Sequence, residues 1–197
     1  KLMVFAVRVD TFPKEPETAV FYIGTNSTDE LTDIRRTALA EFKNLPISGE
    51  YIHRDAFDIA DTYGKDTFYI IKKLGTHQLP KLFELKAKVD RLSKKAGFLP
   101  KNFADRAMQF FSRFLPDHLP RKMRDYRNDY EHHLILKMGG GGVEEARNFL
   151  QNYFNGKTGA FFECNPQEAQ AAMLHRFAVA SAAVRYRAVH GSEVEDI

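Results

Sequence analysis

Cysteine is almost missing from this sequence: Cys164 is the only one in 197 residues. A lone thiol excludes an intramolecular disulfide and a thiolate-built zinc cluster, and it fits a reducing compartment. Long apolar runs are missing as well. The longest, Phe177 to Val184, contains Ser181 and several alanines, well short of the roughly 20 residues that a membrane-spanning helix needs. Net charge is small, with 29 Lys and Arg against 26 Asp and Glu, so charge says nothing about partners until it is located. No signal-peptide pattern follows Lys1, and the terminal "SEVEDI" closes no element; both features predict a segment of a longer protein. What is present suffices for a packed globular core, since 44% of residues are hydrophobic and 13% aromatic.

The charge is unevenly placed. Lys65 to Arg127 holds 16 Lys and Arg against 6 Asp and Glu, a balance of +10, which leaves 13 against 20 in the remainder, or −7. A basic insert between acidic flanks points to an anionic surface.

The flanks alternate strand and helix patterns. "MVFAVRV" and "AVFYIG" are β-branched and aromatic runs of strand length, and "GEYIHR", "YEHHLILKM" and "GAFFEC" read likewise. Ser27 and Glu30 form a capping box, after which Leu31, Ile34, Ala38 and Phe42 keep helical spacing. Asp55 reads as the cap of a short helix ending at Gly64, and Val143, Ala146, Leu150 and Phe154 mark another helix. Asn165, Pro166 and Glu168 start a further one. Beyond Ser181, periodicity does not separate continued helix from strand. The flanks together predict an α+β fold, a ferredoxin-like antiparallel sheet with helices, interrupted by the basic, mainly helical insert.

Within the insert, Leu82, Leu85, Val89 and Leu92 form one stripe of a lysine-rich helix that stops at Gly97. In "NFADRAMQFFSRFL", capped by Asn102, a 100° step gathers Phe103, Ala104, Ala107, Met108, Phe110, Phe111, Phe114 and Leu115 on one arc. Asp105, Arg106, Gln109, Ser112 and Arg113 fill the other side. Such a helix is ordinarily a core helix with its phenylalanines buried. Here basic runs flank it, with Lys94, Lys95 and Lys101 before and Arg121, Lys122 and Arg124 after, the pattern of a segment lying in a membrane interface. Each cation near an anionic leaflet adds about 1 kcal/mol. Nucleic acid is the competing anion, yet stacking platforms need separated rings and no RNP pair, GXXG loop or finger spacing occurs.

Other motifs fall short of chemistry. "KMGGGGVEEA" lacks the Lys-Ser or Lys-Thr of a phosphate loop, and Glu144 and Glu145 would repel phosphate, so a turn is expected. In "YEHHLILKM", His132 and His133 point to opposite strand faces, with Glu131 beside His133. A shared metal would need further ligands such as His53, His175 or His190, so no metal site is expected. A histidine general base and the ordinary pairing of one core with one surface histidine both stay open. Arg176, Arg185 and Arg187 form a second basic set. Arg185 and Arg187 would share a face on a strand, where a guanidinium suits a small carboxylate as well as it suits ordinary ion pairing.

The segments "VFAVRVDTF", "VFYIGTN", "DELTDIRR", "GEYIHRDAFDIADTYGKDTF", "FLPDHLPRKMRDYRNDYEHHLILKM" and "LHRFAVASAAVRYRAVHGSEVEDI" resemble, in order, the respiratory quinone-dependent D-lactate dehydrogenases of bacteria. The resemblance implies an FAD-containing peripheral membrane enzyme on the cytoplasmic face of the inner membrane. Such enzymes oxidise D-lactate to pyruvate and pass electrons to quinone. It also implies a vanillyl-alcohol-oxidase-like arrangement of flavin domain, cap domain and a basic membrane-binding domain inserted in the cap. On that basis residues 1–60 hold the end of the flavin domain and the first part of the cap, 61–127 the insert, and 128–197 the rest of the cap. Most of the flavin site would lie outside the chain, so the segment alone should be inactive. Val4 would approach the flavin, and His133 and Arg185 are the substrate-side candidates. Anionic lipid, quinone and D-lactate are the implied partners; the alternative is a nucleic-acid-binding α+β module.

Overall fold

The computed structural model describes residues 17–43, 46–96 and 103–190. The expected strand over 3–9, with Val4, and positions Gly97, Lys101 and Asn102 lie outside them. In chain order the elements are β1 (Thr18–Thr25), α1 (Thr28–Ala40), β2 (Ser48–His53), α2 (Arg54–Tyr63), α3 (Lys65–Leu74) and a 3-10 turn (Thr76–Gln78). There follow α4 (Leu79–Ala96), α5 (Phe103–Ser112), α6 (Arg121–Asp129), β3 (His132–Gly139), α7 (Gly142–Tyr153), β4 (Ala160–Glu163) and α8 (Pro166–His190).

The four strands lie in the order β2-β3-β1-β4 and every pair is antiparallel. Leaving out α2 to α6, this is the β-α-β-β-α-β order of a ferredoxin-like fold. The expected α+β class and the interruption between second and third strands are therefore both present. Strand alternation sends Phe21, Ile23, Leu134, Leu136 and Met138 to one face, where α1 and α7 bury them with Ile34, Ala146 and Leu150. Val20, Tyr22 and Ile135 face the other side, against Phe57 of α2, Phe68 of α3, Met123 of α6 and Ala172 and Ala178 of α8. Both faces of the sheet are thus covered, the second one largely by residues of the insert.

Local signals account for most helix starts. Ser27 caps α1 by accepting from the Glu30 amide at 3.4 Å, and Asn165 and Glu168 satisfy each other's amides at 2.9 Å at the start of α8. The Gly139–Gly142 segment is a strand-to-helix turn, with Gly140 at φ 52°.

Three expectations are corrected. The cap of α2 is His53, whose Nδ1 accepts from the Asp55 amide at 3.2 Å, so Asp55 sits in the first turn. Phe42 lies past the end of α1 and packs instead against Phe149, with ring centroids 5.4 Å apart. Leu85 and Leu92 of α4 are exposed, because α4 packs against α5 and the 3-10 turn rather than the sheet layers. The choice left open beyond Ser181 falls to helix, since α8 continues unbroken to His190. A helix turns Arg185 and Arg187 about 200° apart, and accordingly Arg185 is buried while Arg187 is exposed.

Gly64 joins α2 to α3 where α8 passes closest. A Cβ there would stand 2.5 Å from the Ala178 carbonyl oxygen, whereas one at Gly49 meets nothing nearer than 3.9 Å. Gly64→Ala is expected to cost about 1–3 kcal/mol through overpacking, with Gly49→Ala within about 0.5 kcal/mol of the parent. Urea midpoints would show it, and two equal variants would mean that α8 yields freely.

Candidate membrane-docking site

Helix α5 is amphipathic, but its sides are used the other way round from a core helix. Ala104, Asp105 and Ser112 are buried, and Met108 is half-buried, a stripe at helical spacing that lies on α2, α3 and α8. The small Ala104 and Ser112 allow the close approach. The buried carboxylate of Asp105 is held by the Lys86 ammonium at 2.9 Å, with Arg185 Nε at 3.7 Å. Asp105 and Ser112 were expected on the side away from the phenylalanines, and that side is the one that docks on the scaffold.

The phenylalanines take the outside. Phe110, Phe111 and Phe114 are 56%, 66% and 73% exposed and touch one another, with centroids 5.8 Å apart for 110–111 and 5.2 Å for 110–114. Phe103 is half-buried. After Ser112 the chain tightens, the Phe114 and Leu115 amides donating to the Phe111 and Ser112 carbonyls, which projects the ring cluster from the helix end. Arg106 and Arg113 flank it, both exposed. Lys95 is exposed on α4, which also carries Lys94.

The second basic run belongs elsewhere. Arg121, Lys122 and Arg124 lie on α6, whose Met123 is fully buried beneath the sheet. Lys122 covers the Phe162 ring at 5.4 Å, Arg124 reaches Asp117 at 3.5 Å, and Arg121 stands 3.9 Å from Asp125. All three are exposed, but part of their charge is matched within the fold.

The substrate-side candidates lie apart. His133 is fully buried, edge-on to Phe57 at 4.8 Å and beside Tyr22 at 5.7 Å, and neither ring nitrogen has a hydrogen-bond partner among the described residues. His132 faces outward, 2.9 Å from the Tyr51 hydroxyl, so the strand alternation holds. Glu131 precedes β3 and pairs with Arg54 at 3.2 Å rather than standing beside His133. Arg185 grips Asp66 with two bonds of 2.7 and 3.0 Å and donates to the Tyr63 carbonyl. A clamp on another carboxylate would have to break that pair. Arg176 is bonded to Glu50.

A polar column that the sequence reading missed runs from the buried His118 and His175 to the part-exposed Arg127 and Asp61 and the exposed Asp58. His118 Nε2 lies 2.8 Å from His175 Nδ1, His175 stacks on Phe57 at 4.5 Å, and Arg127 is bonded to both Asp58 and Asp61. No local pattern links these positions, which lie on α2, α6, α8 and the segment before α6. Ligand atoms of Asp61, Asp117 and His118 come within 4.8 Å of one another. Arg127 and Arg124 already balance those acids. Burial pushes His118 and His133 down to about 4 and holds His175 well below its ordinary value.

The structure joins a ferredoxin-like sheet to a basic helical region that carries exposed aromatics, and no helix among the described residues is long and apolar enough to cross a membrane. A family model described as "D-lactate dehydrogenase, membrane binding" matches residues 20–197, and the chain belongs to that family. It is 67% identical to a quinone-dependent D-lactate dehydrogenase of Haemophilus influenzae and 56% identical to one of Escherichia coli K12, in each case over 100% of this chain. A third such protein, from Corynebacterium glutamicum, is 44% identical over 96% of the chain. The chain spans 34–35% of the length of these relatives.

Three imidazoles kept neutral by burial have a consequence for stability. Unfolded, each titrates near 6.5. For His118 and His133, between that value and the folded value near 4, the unfolded chain therefore binds more protons, and His175, held well below its ordinary value, acts in the same direction. The stability is present above pH 6.5 and lost as pH falls. Lowering pH from 7 to 5.5, where carboxylates barely titrate, should cut unfolding free energy by on the order of 1 kcal/mol per histidine. Urea midpoints test this; a flat profile would mean that the rings are hydrated in the native fold.

Proposed function

We propose that this chain is the membrane-docking and cap segment of a larger peripheral flavoenzyme. The whole protein oxidises D-lactate to pyruvate and delivers the electrons to membrane quinone. FAD is held mainly by parts of the protein beyond this chain, with Val4 as its contact here, and the membrane is the cytoplasmic face of the inner membrane. Supporting this are the membrane-binding family and the names of the relatives. The observation that carries the docking half is the exposed triad of Phe110, Phe111 and Phe114 with the exposed Arg106 and Arg113 on the same stretch. A monomer gains nothing from three clustered rings in water, whereas burying a phenylalanine yields about 1.5–3 kcal/mol. The basic neighbours add attraction to anionic lipid. The docking module proper is then α4 and α5; α2, α3 and α6 complete the scaffold.

Co-sedimentation of the full-length protein with anionic vesicles tests the reading. Replacing Phe110, Phe111 and Phe114 together by serine should lower partitioning at least tenfold. Raising salt from 0.1 to 0.5 M should weaken the parent's binding as the cations are screened. Equal binding to neutral vesicles would remove the electrostatic part, and unchanged binding by the triple variant would remove the docking triad altogether. A gel shift on single-stranded DNA or RNA at physiological salt would favour the nucleic-acid reading instead.

A further inference from the structure

Behind the docking helix lies a cavity of about 250 Å³, bounded by α3, α4, α5 and α8. That is just under the range of drug-sized sites and leaves room for a single ring. Ile71, Met108, Phe177 and Val184 make most of its wall apolar, and its polar lining is Arg185, Lys86, Asp105 and the hydroxyls of Thr67 and Ser181.

The polar part has a definite charge and a definite donor. Asp66 neutralises Arg185 and Lys86 neutralises Asp105, so the four charges cancel and a phosphate or carboxylate finds no net attraction. Arg185 is only 4% exposed, and its Nε is buried without a hydrogen-bond partner among the described residues. The Asp105 oxygen at 3.7 Å is too far to accept from it. Thr67 and Ser181 bond to each other at 2.9 Å, and one of two paired hydroxyls keeps a proton to donate. An apolar slot with no net charge and one hydroxyl proton to donate suits a neutral ring with an acceptor oxygen and a greasy tail.

We infer that this cavity binds the head group of a membrane quinone, a carbonyl oxygen facing the Thr67–Ser181 pair. The inference rests on the quinone-linked function proposed above. Helix α5 gives the cavity Met108 and the membrane Phe110 and Phe111, so a single helix serves the docking surface and one wall of the site.

The test uses full-length protein with a short-chain benzoquinone soluble enough that docking is not required. Ala180 lines the cavity yet is exposed on α8, so Ala180→Phe narrows the slot at its mouth. The ratio of quinone-linked to dye-linked D-lactate oxidation at sub-saturating quinone should fall at least tenfold, through KM for the quinone. Photolabelling by an azidoquinone should mark peptides around 105–108 and 177–185 in the parent and not in the variant. Should Ala180→Phe lose its fold by circular dichroism, Val184→Phe at a 63% exposed wall position repeats both measurements. An unchanged ratio in a folded variant, or label found only elsewhere, overturns the inference. Protection by anionic phospholipid rather than by added quinone would assign the slot to a lipid and equally overturn it. Absence of D-lactate oxidation with dye in the parent would instead defeat the functional proposal, while the labelling still reads the cavity.

Discussion

The pairing of β2 with β3 is the constraint from which the rest of the molecule follows. These strands are neighbours in the sheet, yet a long insert separates them in sequence, and its two ends meet where His53 lies opposite His132. Just outside that rung the Arg54 amide donates to the Glu131 carbonyl at 2.8 Å, and the same two side chains form an ion pair across 77 positions. Closing so long a loop costs entropy that grows only logarithmically with length. One antiparallel ladder, backed by the β1–β3 ladder beside it, can carry an insert of this size. Most of the insert then folds back rather than hanging free: Phe57, Phe68, Leu119 and Met123 join Tyr22 and Ile135 in one core.

Helix α5 shows what that folding back does not absorb. A helix is normally docked through its bulkiest residues, since burial scales with apolar area. Here the docked stripe is small and polar, stabilised by the Lys86–Asp105 pair, and the large rings are left outside. The arrangement is a poor bargain in water and a favourable one at an interface, where the rings are desolvated and the paired charges stay inside the protein.

Much of this was legible in the sequence. The capping boxes at Ser27 and Asn165, the alternation of His132 and His133, and the strand order implied by two β-α-β flanks around an insert all rest on interactions a few residues long or on strand pattern. What stayed hidden depends on partners far away. Asp105 looked like a surface residue because its partners, Lys86 and Arg185, lie on other helices. The last turns of α8 were ambiguous because its buried positions, Ala171, His175, Ala178, Ala182 and Arg185, keep helical spacing but are small or polar, so no apolar stripe announces them. His53 displaced Asp55 as the α2 cap because it also ends β2, and the strand fixes its backbone before the helix begins.

Helix α8 explains how an exposed tip and a buried core act as one body. Its first half carries His175 into the column with His118 beneath the sheet, and its second half carries Arg185 to Asp66 of α3 and alongside Asp105 of α5. A pull on the phenylalanines is therefore resisted by a buried ion network and by the close α2–α8 contact at Gly64, not by a swinging arm. Interiors packed this closely move as units rather than deform. On the docking proposed above, a helix fastened in this way would set the orientation of the scaffold to the membrane as well as its distance from it.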